Sequence, residues 1–468
     1  MKSTPINNDI QRALNVLLDT YPIVRDVVND IVNLGGRCYL VGGAVRDLVL
    51  GLNVKDLDIE IHGLDADKIE HVLARYGPVS LVGKTFGVFR IHGLDVDWSM
   101  PRTDKPGRKP DVAIDPSMTI ENALRRRDLT MNAMAIDLSG FHLIDPFGGV
   151  ADIEHKILRT PDAQFFVEDP LRFYRVMQFI SRFEMLPDDE LNAVCKKMDI
   201  STVSVERIEE EFVKMLLKSK SPSLGLRWIK SIGRLKELFP ELEALVDIPQ
   251  RSRFHPEADA FEHTMQTLDA AARLDYNFEE EKWIVLLAAL CHDLGKATTT
   301  KKVKGEWRSY GHSKAGMDPA KQLLKRITRN KEVIAAVVKM VRYHMAPVQF
   351  IEDAAKRSAY KRLANKLAPQ VTLEMLAKLC LADQQGRSGG GHEPLEIQDE
   401  RIGEFLAKAQ EADVLQKTEP PVLQGRDLID VVEPGPEMGA LLKQAYEVQI
   451  EEGVNDKDEL KRRVLAKQ

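Results

Sequence analysis

The sequence predicts an α+β chain: a head of about 150 residues in which strands and helices mix, then an all-helical remainder. Two observations carry this. Residues 57–62 (LDIEIH) alternate apolar and polar in strict order, as a half-buried strand does, and further strand-like stretches surround them. Beyond about residue 150 the apolar residues instead recur at helical spacing, through 168–245 and again through 258–385. At 468 residues the chain exceeds one ordinary core, so two to four domains are expected. With 44% hydrophobic and 29% charged residues it reads as globular and soluble. The net charge of −6 argues against nonspecific nucleic-acid binding by the whole chain, but it leaves room for a local basic surface. No apolar run is long enough for a bilayer, and the N-terminus lacks the apolar core of a signal peptide. A cytoplasmic location is the expectation. Cys38, Cys195, Cys291 and Cys380 lie far apart among apolar neighbours and read as buried free thiols.

Taken in order, 6–34 reads as helix, with Ile10, Leu14 and Leu17 and then Val24, Val27, Val28 and Ile31 on one face. GGRCYLVGG (35–43) reads as a short strand between glycine turns, and 66–77 as a helix ending at Gly77. The stretch 86–100 reads as a hairpin turning at His92-Gly93. RTDKPGRKPD (102–111), rich in Pro, Gly and charge, reads as a flexible loop. The segment 119–137 reads as helix with Thr119 as N-cap. RSGGGHEP (387–394) is the clearest linker, and the tail beyond it reads as helical with a break at VVEPGPEMG.

The strand at 57–62 raises a chemical question. Residues i, i+2 and i+4 share one face, so Asp56, Asp58, Glu60 and His62 point one way while Leu57, Ile59 and Ile61 point into the core. An acidic strand face is commonly a charge-protected sheet edge. Just upstream, however, VGGAVRD (41–47) places glycines at the end of a strand and the start of a helix, where backbone N–H groups can cradle phosphate. Arg46, one turn into that helix, adds a charged contact. A phosphate cradle beside Asp56 and Asp58 is what two Mg²⁺ ions need to bridge a triphosphate to an attacking hydroxyl. Asp97, in LDVDWSM, is the candidate third carboxylate.

LVGGAVRDLVLG, KDLDIEI, GKTFGVFRI, ENALRRRDLTMNAMAID, IDPFGGVADI and EDPLRFYRVMQF follow one another in this chain. Together they resemble the successive motifs of bacterial class II tRNA nucleotidyltransferases, the CCA-adding enzymes and their poly(A) polymerase relatives. The resemblance implies that Gly43 and Arg46 contact the triphosphate and that Asp56 and Asp58 ligate metal. It also implies that Arg127, Asp128 and Asn132 hold the ribose and phosphates. Asp128 and Asn132, four apart, would share a helix face, and telling ribose from deoxyribose needs such polar groups at the 2′-OH. Arg175 matches a nucleotide-contacting arginine, but the next such position, commonly Arg, is Gln178 here, which leaves a contact missing or supplied from elsewhere.

Asp169 and Arg172 are three apart and would be neighbours on a helix. A carboxylate only accepts hydrogen bonds and a guanidinium only donates them. Side by side they suit the edges of cytosine and adenine and repel uracil and guanine; read in isolation, they would be an ordinary i,i+3 ion pair. The resemblance thus implies template-independent addition of C, C and A to the tRNA 3′ end from CTP and ATP. CC-only addition, A-only addition and poly(A) synthesis are the alternatives. Poly(A) polymerases tend to carry an Arg-rich segment where this chain has VGKTFGVFRI, and CC-adding relatives have a shortened loop where this chain has RTDKPGRKPD.

In the helical remainder, His263 (EHTM), His292-Asp293 (LCHDLGK) and Asp383 (LADQQGR) follow the ligand order of HD-superfamily phosphohydrolases. Imidazole and carboxylate suit Ni²⁺, Mn²⁺, Co²⁺, Fe²⁺ or Mg²⁺, whose bound water would attack a phosphoester. His312 and His344 are further family-like histidines, facing substrate or a second metal position. The resemblance implies 2′,3′-cyclic phosphodiesterase and 2′-nucleotidase or phosphatase activity; the alternative is a helical domain that only grips tRNA, or a hydrolase whose inactive head binds RNA. The expected division is an N-terminal helical extension (1–30), a nucleotidyltransferase head (31–165), a helical neck (166–250), an HD domain (251–390) and a helical tail (391–468), acting as monomer or homodimer with no membrane partner.

Overall fold

The computed structural model describes residues 3–54, 56–82, 87–105, 111–250, 259–387 and 394–466. Lys55, residues 83–86 of GKTF, the 106–110 tip of the expected flexible loop, residues 254–258 of FHPEADAF and most of the expected linker lie outside them. The chain divides into two compact units, residues 1–203 and 204–468.

The first unit is built on a mixed sheet. Its strands are β1 (Ser3–Pro5), β2 (Arg37–Val41), β3 (Leu57–His62), β4 (Val79–Val82), β5 (Val88–Ile91) and β6 (Val96–Ser99). A separate hairpin pairs β7 (Arg102–Lys105) with β8 (Asp111–Ile114), and the main sheet is completed by β9 (Ala135–Asp137) and β10 (His142–Ile144). The order β1-β10-β9-β2-β3-β6-β5-β4 puts β3 in the interior, antiparallel to β2 and parallel to β6. The expected hairpin at His92-Gly93 is the β5–β6 pair. The expected flexible loop is corrected in its arms: 102–105 and 111–114 are paired strands.

Two further expectations change. Residues 6–34 form two helices, Asn8–Thr20 and Pro22–Asn33, because Pro22 lacks the N–H a continuous helix needs and opens the second one. The 119–137 segment is helical only from Ile120 to Arg125, with Thr119 Oγ1 accepting from Asn122 N as expected at an N-cap. It then passes through a 3-10 turn at Thr130–Asn132 into β9. Its apolar residues are shared between two kinds of element: Ile120, Leu124, Ala133 and Ala135 pack with Tyr39, Val41 and Ile144 in one cluster.

The second unit is helical at its centre. Helix Glu279–Cys291 is buried on every side from Trp283 to Cys291, which is the position its unbroken apolar run demands. Helices Ala260–Arg273, Lys331–Tyr343 and Leu373–Gln385 pack around it. The expectation of an all-helical remainder is corrected twice among the described residues: Ile157–Leu158 pairs in parallel with Leu186–Pro187 in the first unit, and Lys301–Val303 forms a β-hairpin with Glu306–Arg308 in the second. Lys304 and Gly305 both have positive φ (50° and 86°), the primed turn that two-residue hairpins favour. At the C-terminal end, Leu428, Met438, Leu441, Leu460 and Val464 join a separate apolar cluster. All four cysteines are free and buried, and burial raises the Cys38 thiol to about 12. Among the described residues no helix is long and apolar enough to cross a membrane.

Candidate functional sites

In the first unit the acidic face of β3 is not a sheet edge. Asp56 is exposed and Asp58 half-buried, whereas Glu60 and His62 are 7% and 6% exposed. β3 is an interior strand, and its polar face is covered by partners that satisfy it. His62 Nε2 lies 2.8 Å from Glu60 Oε1, and its Nδ1 lies 2.8 Å from the Met118 carbonyl. Glu60 also accepts from Arg127 Nη2 at 3.4 Å. The reading of Glu60 as a solvated edge residue is therefore corrected.

Asp58 and Asp97 are in register on the parallel pair β3 and β6. Burial holds the Asp58 carboxyl above its ordinary range, with Arg127 opposing and Asp97 and Asp56 adding to the rise. Repulsion of this kind is what a bound cation relieves. Asp97 itself is paired with Arg90, whose Nη2 donates to Oδ2 at 2.8 Å. Gly42 stands between the two charges: a Cβ there would lie 3.2 Å from Arg127 Nη1 and 3.8 Å from Asp58 Oδ2, and its φ of +69° already favours glycine.

Gly43 opens helix Gly43–Val49, and the Arg46 guanidinium folds back beside it. Arg46 is buried, at 7% exposure. It donates to Asn132 Oδ1 at 2.8 Å and to Asp47 Oδ1 at 2.8 Å, and it lies 5.0 Å from the centre of the Phe183 ring. Asn132 in turn donates to Asp128 Oδ1 at 3.0 Å. The expected Asp128–Asn132 contact is present, but across a 3-10 turn and not along an α-helix. The IDPFGGVADI motif holds that turn. Thr130 Oγ1 donates to Asp152 Oδ2 at 2.6 Å, Asp145 accepts from Gly149 N at 2.7 Å, and a Cβ on Gly149 would lie 2.3 Å from the Thr130 carbonyl.

Helix Leu171–Phe183 presents the remaining predicted groups. Asp169 precedes this helix, correcting the picture of two residues on one face, and accepts from Leu171 N at 3.1 Å. Arg172 donates to the carbonyls of Phe165 at 2.7 Å and Arg126 at 2.5 Å. Arg175 Nε donates to Asp128 Oδ2 at 2.6 Å. Burial opposes the Asp128 charge, but Arg175, Asn132 and Arg172 outweigh it and bring this carboxyl down to about 2. Gln178 is buried, at 1% exposure, and accepts from Arg182 Nη1 at 3.3 Å. Arg182 lies over Phe183, the ring Arg46 also faces. An arginine one turn beyond Gln178 therefore stands in this neighbourhood, a feature that position-by-position matching missed.

In the second unit His263, His292 and Asp383 form one buried donor group, and Asp293, His312 and His344 form another. Asp293 reaches both: Oδ2 is 3.2 Å from His292 Nε2, and Oδ1 is 3.4 Å from His312 Nε2. His263 Nε2 lies 2.9 Å from Asp383 Oδ1, and the Nε2 atoms of His312 and His344 are 3.1 Å apart. Each ring turns its Nδ1 to a backbone carbonyl: Gly386 for His263, Ala289 for His292, Ser309 for His312 and Val341 for His344. A carbonyl can only accept, so each Nδ1 carries a proton and the four Nε2 atoms are left facing the donor groups, where a metal would take their lone pairs. Metal-binding imidazoles commonly donate their other ring N–H in this way, and the donor set fits divalent metal. Burial, with His312 and His292 beside it, pushes the His344 imidazole down to about 3. Asp293 and Asp383 stay charged despite burial, held well below the usual carboxylate range by nearby His292 and Lys296 and by Arg387 and His263 respectively.

Family models match three parts of the chain: the Poly A polymerase head domain at residues 38–159, the "Probable RNA and SrmB- binding site of polymerase A" at 191–245, and the HD domain at 260–380. Among solved structures, the Bacillus stearothermophilus CCA-adding enzyme in complex with CTP is similar in fold, with a TM-score of 0.65 at 20% identity over 99% of each chain. The Methylococcus capsulatus multifunctional CCA protein is 34% identical over 425 residues, 87% of this chain and 93% of that relative. The Mannheimia succiniciproducens multifunctional CCA protein is 36% identical over 373 residues, 75% of this chain and 85% of that one. With the head motifs and the HD ligand set both intact, the chain belongs to the multifunctional CCA protein family.

Proposed function

We propose that the chain adds C, C and A to the 3′ end of tRNA from CTP and ATP without a nucleic-acid template, in the cytoplasm, and that its HD domain hydrolyses phosphate esters. The observation that carries the first activity is a three-residue turn. The Arg126 carbonyl holds Arg172, Arg127 holds Glu60 two residues from Asp58, and Asp128 holds Arg175. The end of the site that reads a base and the end that performs the chemistry are thus braced by consecutive residues. Such bracing supports phosphoryl transfer, in which positioning and charge stabilisation do most of the work.

In this reading the tRNA 3′-oxygen attacks the α-phosphorus, a new P–O bond forms and pyrophosphate leaves. Asp56 and Asp58 hold Mg²⁺, which lowers the pKa of the attacking hydroxyl and neutralises the triphosphate when bound. Asp97 supports Asp58 from the neighbouring strand. Gly42 and Gly43 let the phosphates approach the backbone; Arg46, Arg127, Asp128, Asn132 and Arg175 hold the nucleotide; Asp169 and Arg172 select C and A. The segment RTDKPGRKPD, which CC-adding relatives have shortened, is present in this sequence and supports full CCA addition.

In the HD domain His263, His292, Asp293 and Asp383 hold a divalent transition metal, with His312 and His344 offering a second position through Asp293. A 2′,3′-cyclic phosphate or a 2′-phosphate is the expected substrate. The division into extension, head, neck, HD domain and tail follows the same reading.

The test uses tRNA lacking its 3′ CCA, supplied with CTP, ATP or both. Wild type is expected to add all three nucleotides only with both present. Asp58→Ala is expected to lose about 10³-fold in rate, equivalent to roughly 4 kcal/mol. No addition by wild type rejects the reading, and addition of C alone or of long A tails replaces it.

A further inference from the structure

We infer that the 301–308 hairpin and the residues just after it form a nucleobase platform beside the HD donors, with Trp307 and Tyr310 as the side chains that hold the base of a nucleotide ester. The inference rests on the hydrolase reading above and concerns which residues hold the base of its substrate.

A cavity of about 270 Å³ is lined by Asp293, His312, His344 and Asp383 together with Trp307 and Tyr310. The two aromatic side chains are 39% and 66% exposed. Large rings left in water cost hydration free energy unless something covers them. Trp307 stands opposite Lys302 in the hairpin register, with the ammonium 6.0 Å from the ring centre. The Arg308 guanidinium lies 5.9 Å from the Tyr310 ring centre. Aromatic faces flanked by cations are how proteins bind bases joined to phosphates.

The hairpin is tied to the metal-binding donors. Thr300 and Ser309 close its base, with their hydroxyl oxygens 2.8 Å apart. The Ser309 carbonyl accepts from His312 Nδ1 at 2.9 Å. The histidine that turns Nε2 toward Asp293 is therefore the one that anchors the strand bearing Trp307. Lys296 and Arg387, which pair with Asp293 and Asp383, line the same cavity beside the donors, where a phosphate would meet them. Phosphate at the donors and base on the hairpin is the arrangement of a nucleoside 2′-phosphate, free or at an RNA 3′ end. In its hydrolysis, the oxygen of water bonds to phosphorus, the P–O2′ bond breaks, and the ribose oxygen takes up a proton.

The experiment compares adenosine 2′-phosphate with glycerol 2-phosphate, the same ester chemistry with and without a base. Full-length wild type, Trp307→Ala, Trp307→Phe and Tyr310→Ala are assayed with Ni²⁺ or Mn²⁺. Trp307→Ala is expected to raise KM for the nucleotide about tenfold with kcat retained, Tyr310→Ala to raise it less, and Trp307→Phe to stay near wild type. Glycerol 2-phosphate kinetics should not change. A short RNA ending in a 2′-phosphate separates the sources: a matching rise assigns the platform to the RNA terminus, and a rise confined to the free nucleotide assigns it to mononucleotides. Without metal, adenosine 2′-phosphate should quench tryptophan emission in wild type and not in Trp307→Ala, since Trp98, Trp228 and Trp283 are all buried. Unchanged nucleotide KM, equal losses on both esters, or no quenching overturns the platform alone. Failure of wild type to hydrolyse either ester overturns the hydrolase reading and the platform with it.

Discussion

Asp128 is the residue on which the head's polar lattice turns. It is buried and bonded to Arg175, Asn132 and its own following backbone N–H. Its carboxyl lies at about 2 against an ordinary 3.8. A depressed carboxyl contributes stability that is complete above the ordinary value and is lost as pH falls through the folded one. Asp128→Asn should therefore cost about 2 kcal/mol at pH 7, and the gap from wild type should narrow as pH drops from about 4 to about 2. Urea unfolding across that range checks this; a gap independent of pH contradicts it. The contact between Asp128 and Asn132 was legible from their spacing in the motif. Glu60 was not, because alternation shows that a side chain shares a face with Asp58 but not that the face is covered. Only the position of β3 inside the sheet makes Glu60 a buried partner of His62 and Arg127.

At the level of elements, the hairpin at 301–308 shows why a strand signal fails. Each arm is three residues long, too short for an alternation to register. Helix 279–291, by contrast, falls within the 258–385 stretch read as helical from its spacing. The turn after it explains the glycine of LCHDLGK: a Cβ on Gly295 would lie 2.0 Å from the His312 carbonyl. Gly295→Ala must push the His312 backbone away from the donor cluster. It should lower stability by about 2–4 kcal/mol and weaken metal binding in the HD domain, measurable by thermal unfolding and by calorimetric titration with Ni²⁺. A variant that melts and binds as wild type does would show that the backbone yields at no cost.

For the whole molecule, the two units carry separate groups of polar donors, one on a sheet and one among helices. Each donor set belongs wholly to one unit. Asp293→Asn should therefore abolish phosphohydrolase activity, at least 10²-fold, while CCA addition changes less than twofold. Asp58→Asn should do the reverse. Assaying both activities on both variants tests it; loss of both from either substitution would mean that the sites do not act independently.

The sequence by itself determined the α+β head, the helical remainder, the HD ligand order and the family, because periodicity and ordered motifs are local properties that survive without coordinates. The tertiary structure decided which partner each polar group meets and which groups face a cavity. Arg46 and Arg172 are bonded to Asn132 and to backbone carbonyls, His312 and His344 join Asp293 in a second donor group, and Trp307 lines a cavity with them. Spacing along a chain cannot report such facts, since burial and hydrogen bonding depend on residues brought together from distant segments.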